Sequence, residues 1–189
     1  LGAGELEELL GMSPEDLEAV FARAKQEQLQ AERDEAIKEI ETAEAYQDDP
    51  KARAAAIAIL RKGAGKTAGE NIELITRAFS TADPRVREIR RLLAGEKAQA
   101  AASAARGLRN LEESTYFNAL VQYLYAQALV ASDRPYRGVE AYRDLMVEMP
   151  QRLSFAARAG VRAAELFEKL KRYIYAQKMY EYCVNQYSL

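Results

Sequence analysis

Only 5 Pro and 10 Gly interrupt 189 residues, and the stretches between them are rich in Ala, Glu, Leu, Arg and Gln. No segment alternates β-branched and polar residues. A half-buried strand needs that period of two, whereas the residues that dominate here are the strong helix formers. The chain therefore reads as all-α, and its Pro and Gly read as punctuation between amphipathic stretches. An apolar fraction of 49 % beside 30 % charge supports a packed core. No apolar run approaches the roughly 20 residues that cross a bilayer.

The residue types that are missing narrow the chemistry. Without a single His, and with one Cys, the commonest general base, most zinc and haem sites, nucleophile pairs built on His, disulfide frameworks and thiolate clusters all drop out. The expectation is a protein that is not an enzyme, with no catalytic residues, no cofactor and no metal site. The chain opens on Leu1 rather than Met, so it reads as a processed or excised piece. Its first residues, LGAGELEELLG, lack the basic start and long apolar centre of a signal peptide. Compartment stays open between cytoplasm and export after removal of a signal.

Charge is unevenly distributed. Residues 1–50 carry 15 acidic and 4 basic side chains, and residues 51–189 carry 14 and 23. An acidic arm folding back on a basic body, a basic surface awaiting an acidic ligand, and two solvated faces are all compatible with that polarity. Ser13-Pro14-Glu15-Asp16 is the first firm helix start, with Ser as cap and Pro at the first helical position. From there the pattern runs to Asp48-Asp49-Pro50. Leu17, Phe21 and Ala24 share one face, whereas Leu29, Ala36, Ile40 and Ala43 share another. This predicts a long helix that is hinged near Gln28 or meets different neighbours along its length. Domain boundaries follow: an acidic helical segment over 1–48, then an array of short helices over 49–189, at 51–62, 68–79, 84–94, 96–110, 114–131, 136–148, 152–170 and 172–187.

The short helices repeat. Ala126 and Leu129, followed by Gly138, Tyr142, Leu145 and Pro150, recur at one constant offset as Ala164 and Phe167, then Ala176, Tyr180, Cys183 and Ser188. Ala100, Ala104 and Gly107 continue the pattern upstream, as do Ala56, Ile59, Ala68, Ile72 and Ile75. This pattern resembles the tetratricopeptide repeat (TPR), a short helix-turn-helix unit that stacks on copies of itself. Candidate units are 49–80, 81–112, 119–150 and 157–188. The resemblance is degenerate, since the family's first-helix Trp is absent and its Leu-Gly pair reads Tyr125-Ala126 and Ala163-Ala164. It implies a right-handed superhelical α-solenoid whose concave groove holds a peptide or protein segment.

By repeat position, Tyr123 and Gln127 point into that groove from one unit and Arg158, Arg162 and Glu165 from the next. Arginines at i and i+4 could clamp a carboxylate or acidic peptide. The groove Asn residues of the family's chaperone-tail clamp are replaced by Tyr123 and Val161, so that partner class is disfavoured. Tyr142 and Tyr180 are expected in the core, and Cys183 as a buried inert thiol. Arg85, Arg87, Arg90 and Arg91 form a second basic cluster, partly groove-facing, but a pI near 5.5 argues against nucleic acid. Gly63-Ala64-Gly65-Lys66-Thr67 has the look of a phosphate loop, yet Leu60 stands where its first Gly belongs and a helix precedes it; a turn is the better reading. Glu165 and Glu168 read as a solvated or peptide-contacting face. The expected function is an interaction scaffold. The alternative is an assembly subunit, a homo-oligomer that self-associates through the N-terminal helix or the last repeat. A further expectation is that the acidic helix occupies the groove in cis.

Overall fold

The computed structural model describes residues 12–110, 113 and 115–187. The opening LGAGELEELLG, and Glu112 and Ser188 at the ends of two expected units, lie outside them. Nine α-helices are formed among the described residues: α1 (Pro14–Thr42), α2 (Pro50–Lys62), α3 (Ala68–Ala82), α4 (Pro84–Ala94), α5 (Ala98–Leu108), α6 (Tyr116–Ala131), α7 (Pro135–Glu148), α8 (Leu153–Lys169) and α9 (Tyr173–Tyr187). A short 3-10 turn, Glu44–Tyr46, follows α1, so the long helix stops at Thr42 rather than running on to Asp48.

Punctuation explains the boundaries. Pro14, Pro50, Pro84 and Pro135 each open a helix, where the missing N–H has no intrahelical partner to lose. Side chains of Ser13, Asp49, Thr67, Asp83 and Thr115 accept hydrogen bonds from first-turn amides of α1, α2, α3, α4 and α6. Not every Gly is punctuation. Gly138 and Gly160 lie inside α7 and α8, where a Cβ would press into Val130 and into Cys183 with Met146. They are there so that adjoining helices can approach closely.

Three of the turns are the same device. Glu96, Asp133 and Lys171 have φ of 57°, 60° and 58°. In each turn the next residue's N–H reaches back onto its helix: Lys97 to Leu92, Arg134 to Leu129 and Arg172 to Phe167, at 2.8–3.0 Å. These are Schellman ends, and their near-even spacing along the chain follows the period of the sequence repeat. They join α4 to α5, α6 to α7 and α8 to α9. The link from α2 to α3 is different, an extended segment over 63–67.

Each helix from α4 to α9 packs on the next, and α4, α6 and α8 also touch in series. Helix α3 breaks this order, because it packs on α4, α6 and α8 as well as on α2. It lies across the face of that row and buries Ile72, Ile75, Ala78 and Phe79. The core centres there, with Val86 and Ile89 of α4, Leu120 of α6 and Phe155 of α8 fully buried. Aromatic edges link it, from Tyr46 to Phe79 at 6.0 Å, Phe79 to Phe117 at 6.5 Å and Tyr123 to Phe155 at 5.9 Å.

Helix α1 is unbroken, and only its second half is buried. Leu17 is half-covered, and Phe21 is 62 % exposed. From Leu29 onward it packs on α2 and α3. Its carboxylates then meet the body. Glu39 accepts from the backbone N–H of Tyr116 (2.8 Å) and Phe117 (3.0 Å), at the start of α6. Glu32 accepts from Ser154 N–H (2.8 Å) at the start of α8, from the Ser154 hydroxyl, and from Asn71 Nδ2 (3.0 Å). Glu35 pairs with Arg152 at 2.6 Å. A helix N-terminus carries partial positive charge and orphan N–H groups, so the acidic arm is matched to two helix starts on the body. Burial raises the pKa of both Glu32 and Glu39 above the ordinary 4.5, although their hydrogen bonds pull the other way.

Candidate functional site

Beyond the reach of α3, the C-terminal halves of α6 and α8 flank a cleft floored by Tyr142 of α7. Gln127 and Val130 come from α6, and Arg162, Glu165, Leu166 and Lys169 from α8; the cavity is about 210 Å³. Arg162 Nη1 donates to Glu165 Oε2 at 2.7 Å, and Arg158 Nη1 stands 4.0 Å from the other carboxylate oxygen. One carboxylate thus lies between two guanidinium groups with Lys169 close by, leaving net positive charge at the cleft wall. The hydrogen bond that Arg162 donates to Glu165 raises its pKa, and a second one, donated to the Tyr123 hydroxyl, acts the same way.

All five expected groove residues therefore belong to one neighbourhood, with differing access. Gln127, Arg162 and Glu165 line the cleft and Arg158 is half-exposed beside them. Tyr123 is 5 % exposed, its ring edge-on to Tyr142 (5.6 Å) and to Phe155. Its hydroxyl accepts from Arg162, and what access it keeps is to a separate cleft against α3 and α4. Its position in the repeat identified the helix face, but α3 covers that face, and nothing in the local pattern of α6 announces a helix arriving from far upstream. Val130, Leu166 and Lys169 went unnoticed because the family pattern carries no polar signature at their positions.

Other expected features have moved. Arg85, Arg87, Arg90 and Arg91 do not form an open basic patch. Arg85 pairs with Asp83 (2.6 Å), Arg90 with Glu73 (3.0 Å) and Arg91 with Glu88 (2.7 Å), while Arg87 donates to the carbonyls of Ser80 and Thr81. Tyr142 is buried, whereas Tyr180 is only half-covered and its hydroxyl donates to Glu168 at 3.3 Å. Cys183 is buried and burial pushes its thiol pKa up, away from the reactive thiolate.

The 63–67 segment is an extended link between two helices rather than a turn. Arg33 holds the Gly65 carbonyl and Gln26 the Lys66 carbonyl. Lys66 N–H donates to the Glu70 carboxylate at 2.7 Å. A phosphate would have to displace that carboxylate. Among the described residues no helix is long and apolar enough to cross a membrane, and no group of three or more Cys, Asp or Glu could hold a metal ion. Comparison with protein-family models, curated proteins and solved structures gives no match to this chain.

Proposed function

We propose that this chain is a non-catalytic protein–protein interaction scaffold, a TPR-like right-handed array that receives a peptide or protein segment in the cleft between α6 and α8. The carrying observation is the cleft wall itself, in which Arg158 and Arg162 share the single carboxylate of Glu165 above an aromatic floor. Arginine forks bind carboxylates bidentately. An acidic residue beside an apolar one would place its charge on Arg158 and Arg162 and its side chain against Val130, Tyr142 and Leu166. Three identical turns at the repeat period support the array reading, with α4/α5, α6/α7 and α8/α9 as its hairpins. On this reading α2/α3 is a covering hairpin, and the groove is partly occupied in cis by α3, with the acidic α1 latched beside it.

Capture on immobilised protein tests the proposal. Arg158→Glu with Arg162→Glu lowers recovery of a stoichiometric partner and leaves the melting temperature within a few degrees; equal recovery by wild type and variant refutes it.

The second reading, a self-associating assembly subunit, is favoured by a different observation. Phe21 of α1, and Tyr173, Ile174, Tyr175, Tyr182 and Val184 of α9, are large apolar residues left exposed. Under this reading mass in solution rises with concentration and Phe21→Ser with Ile174→Ser suppresses the rise. A constant monomer mass excludes it.

A further inference from the structure

A second cavity, of about 340 Å³, opens on the opposite side of α6 from Tyr123, where the ends of α5 and α7 converge. Its walls are Arg106, Arg109, Arg134 and Arg137, with Tyr125 and Leu129 of α6. Four Arg side chains line one small cavity, and among the described residues little offsets their charge. Helices α5 and α6 contain no acidic residue at all. Among the described residues neither Arg106, Arg109 nor Arg134 forms an ion pair, and Arg137 has only Glu140, at 3.2 Å on an open surface. Asp133, next to Arg134 in the turn, is exposed and unpaired by the same account.

The placement on α7 breaks a local rule. A helix start favours anions, yet α7 carries Arg134 as its N-cap residue and Arg137 in its first turn, with no acid in that turn and no side chain capping its amides. Arg106, at the C-terminal end of α5, suits its helix end; Arg134 and Arg137 do not. Arg109 lies over the Tyr125 ring, its Cζ 4.7 Å from the centroid, a cation–π contact that favours one placement of its guanidinium. Violations of local preference without local compensation are typical of binding sites.

We propose that the Arg106–Arg109–Arg134–Arg137 cavity binds the dianion of a phosphate monoester. Three phosphoryl oxygens can take two or three guanidinium forks together, whereas one carboxylate offsets a single charge. The cavity has room for part of the organic group as well. Two sources share this chemistry, a phosphorylated protein side chain and a small free phosphate ester.

Isothermal titration of the full chain with O-phosphoserine, with a short phosphoserine peptide, and with the same peptide carrying Glu decides the matter. The phosphorylated ligands bind saturably at one site, at least about tenfold more tightly than the Glu peptide, and binding weakens steeply with salt. Arg134→Glu, on an exposed side chain, weakens both by at least about tenfold with no loss of melting temperature, and Arg134→Lys recovers part of it. Tighter binding of the peptide than of the free ester identifies a phosphorylated protein as the source, and equal binding identifies a small ester. The proposal is overturned by the absence of saturable binding up to about 10 mM, by equal affinity for the Glu peptide, by variants that bind like wild type, or by tighter binding of a single-stranded oligonucleotide than of either monoester.

Discussion

Replacing Glu39 by Ala tests whether the acidic arm holds the body through helix starts. The first turn of α6 has three orphan amides satisfied by side chains: Glu39 takes Tyr116 and Phe117, and Thr115 takes Asn118 at 3.1 Å. The variant strands the first two in a half-buried environment. Hydrogen bonds to a charged group contribute about 1.5–3 kcal/mol each, so the gross loss is about 3–6 kcal/mol. Burial of the Glu39 carboxylate, visible in its raised pKa, offsets part of this, and water can reach the vacated amides. A net loss of about 2–3 kcal/mol follows. At about 2–4 °C per kcal/mol for a chain of this size, the melting temperature falls by about 5–10 °C. Glu41→Ala is the matched control: its pair with Arg61 is solvent-exposed on both sides and contributes at most about 1 kcal/mol. Thermal melting and amide exchange at Tyr116 and Phe117 read the result. A Glu39→Ala melt within about 2 °C of wild type, with unchanged exchange at both amides, would show that the Glu39 carboxylate does not hold the start of α6.

Three further outcomes are expected. Because burial raises the folded-state pKa of Glu32 and Glu39, the folded chain keeps protons that the unfolded chain releases; their contribution is complete below the ordinary 4.5 and is lost as pH rises through the folded values. Denaturant titrations at about pH 4 and about pH 7 should therefore show wild type losing stability relative to Glu32→Gln with Glu39→Gln as pH rises, and a relative gain would reverse the sign of the argument. Lys171→Gly relieves a left-handed conformation that costs a non-Gly residue about 1–2 kcal/mol, less the extra chain entropy of Gly, so unfolding should need about 0.5–1 kcal/mol more; destabilisation would mean the Lys side chain matters more than its backbone. Phe79→Ala removes a fully buried ring shared by Tyr46 and Phe117 and should cost about 3–5 kcal/mol in urea unfolding, whereas a loss below about 1 kcal/mol would show that α3 is not seated on the row.

Much of the local structure was legible because it is encoded locally. Pro14, Pro50, Pro84 and Pro135 mark helix starts through a missing N–H, and Ser13 caps α1 from just outside its first turn. The offset that aligned Tyr142 with Tyr180 reappears as matching turns at Asp133 and Lys171. The site was legible in part for the same reason: Arg158, Arg162 and Glu165 fall on one face of α8 by helical period alone.

What the residue pattern could not show is decided by contacts between distant segments. Helix α3 has the same amphipathic pattern whether it begins an array or lies across one; the choice rests on Asn71 meeting Glu32 and Ser154, and on Phe79 meeting Phe117. The surplus acid of residues 1–50 was plain from composition, but its use was not, because an orphan amide at a helix start has no side-chain signature. Likewise Arg106 and Arg134 belong to separate hairpins, and only the packing of α5 and α7 on α6 brings their like charges to one cavity. Helix formation, capping and period are short-range and belong to the sequence of this protein; which face is covered, and where charge is left without a counterion, depend on long-range packing and belong to its tertiary structure.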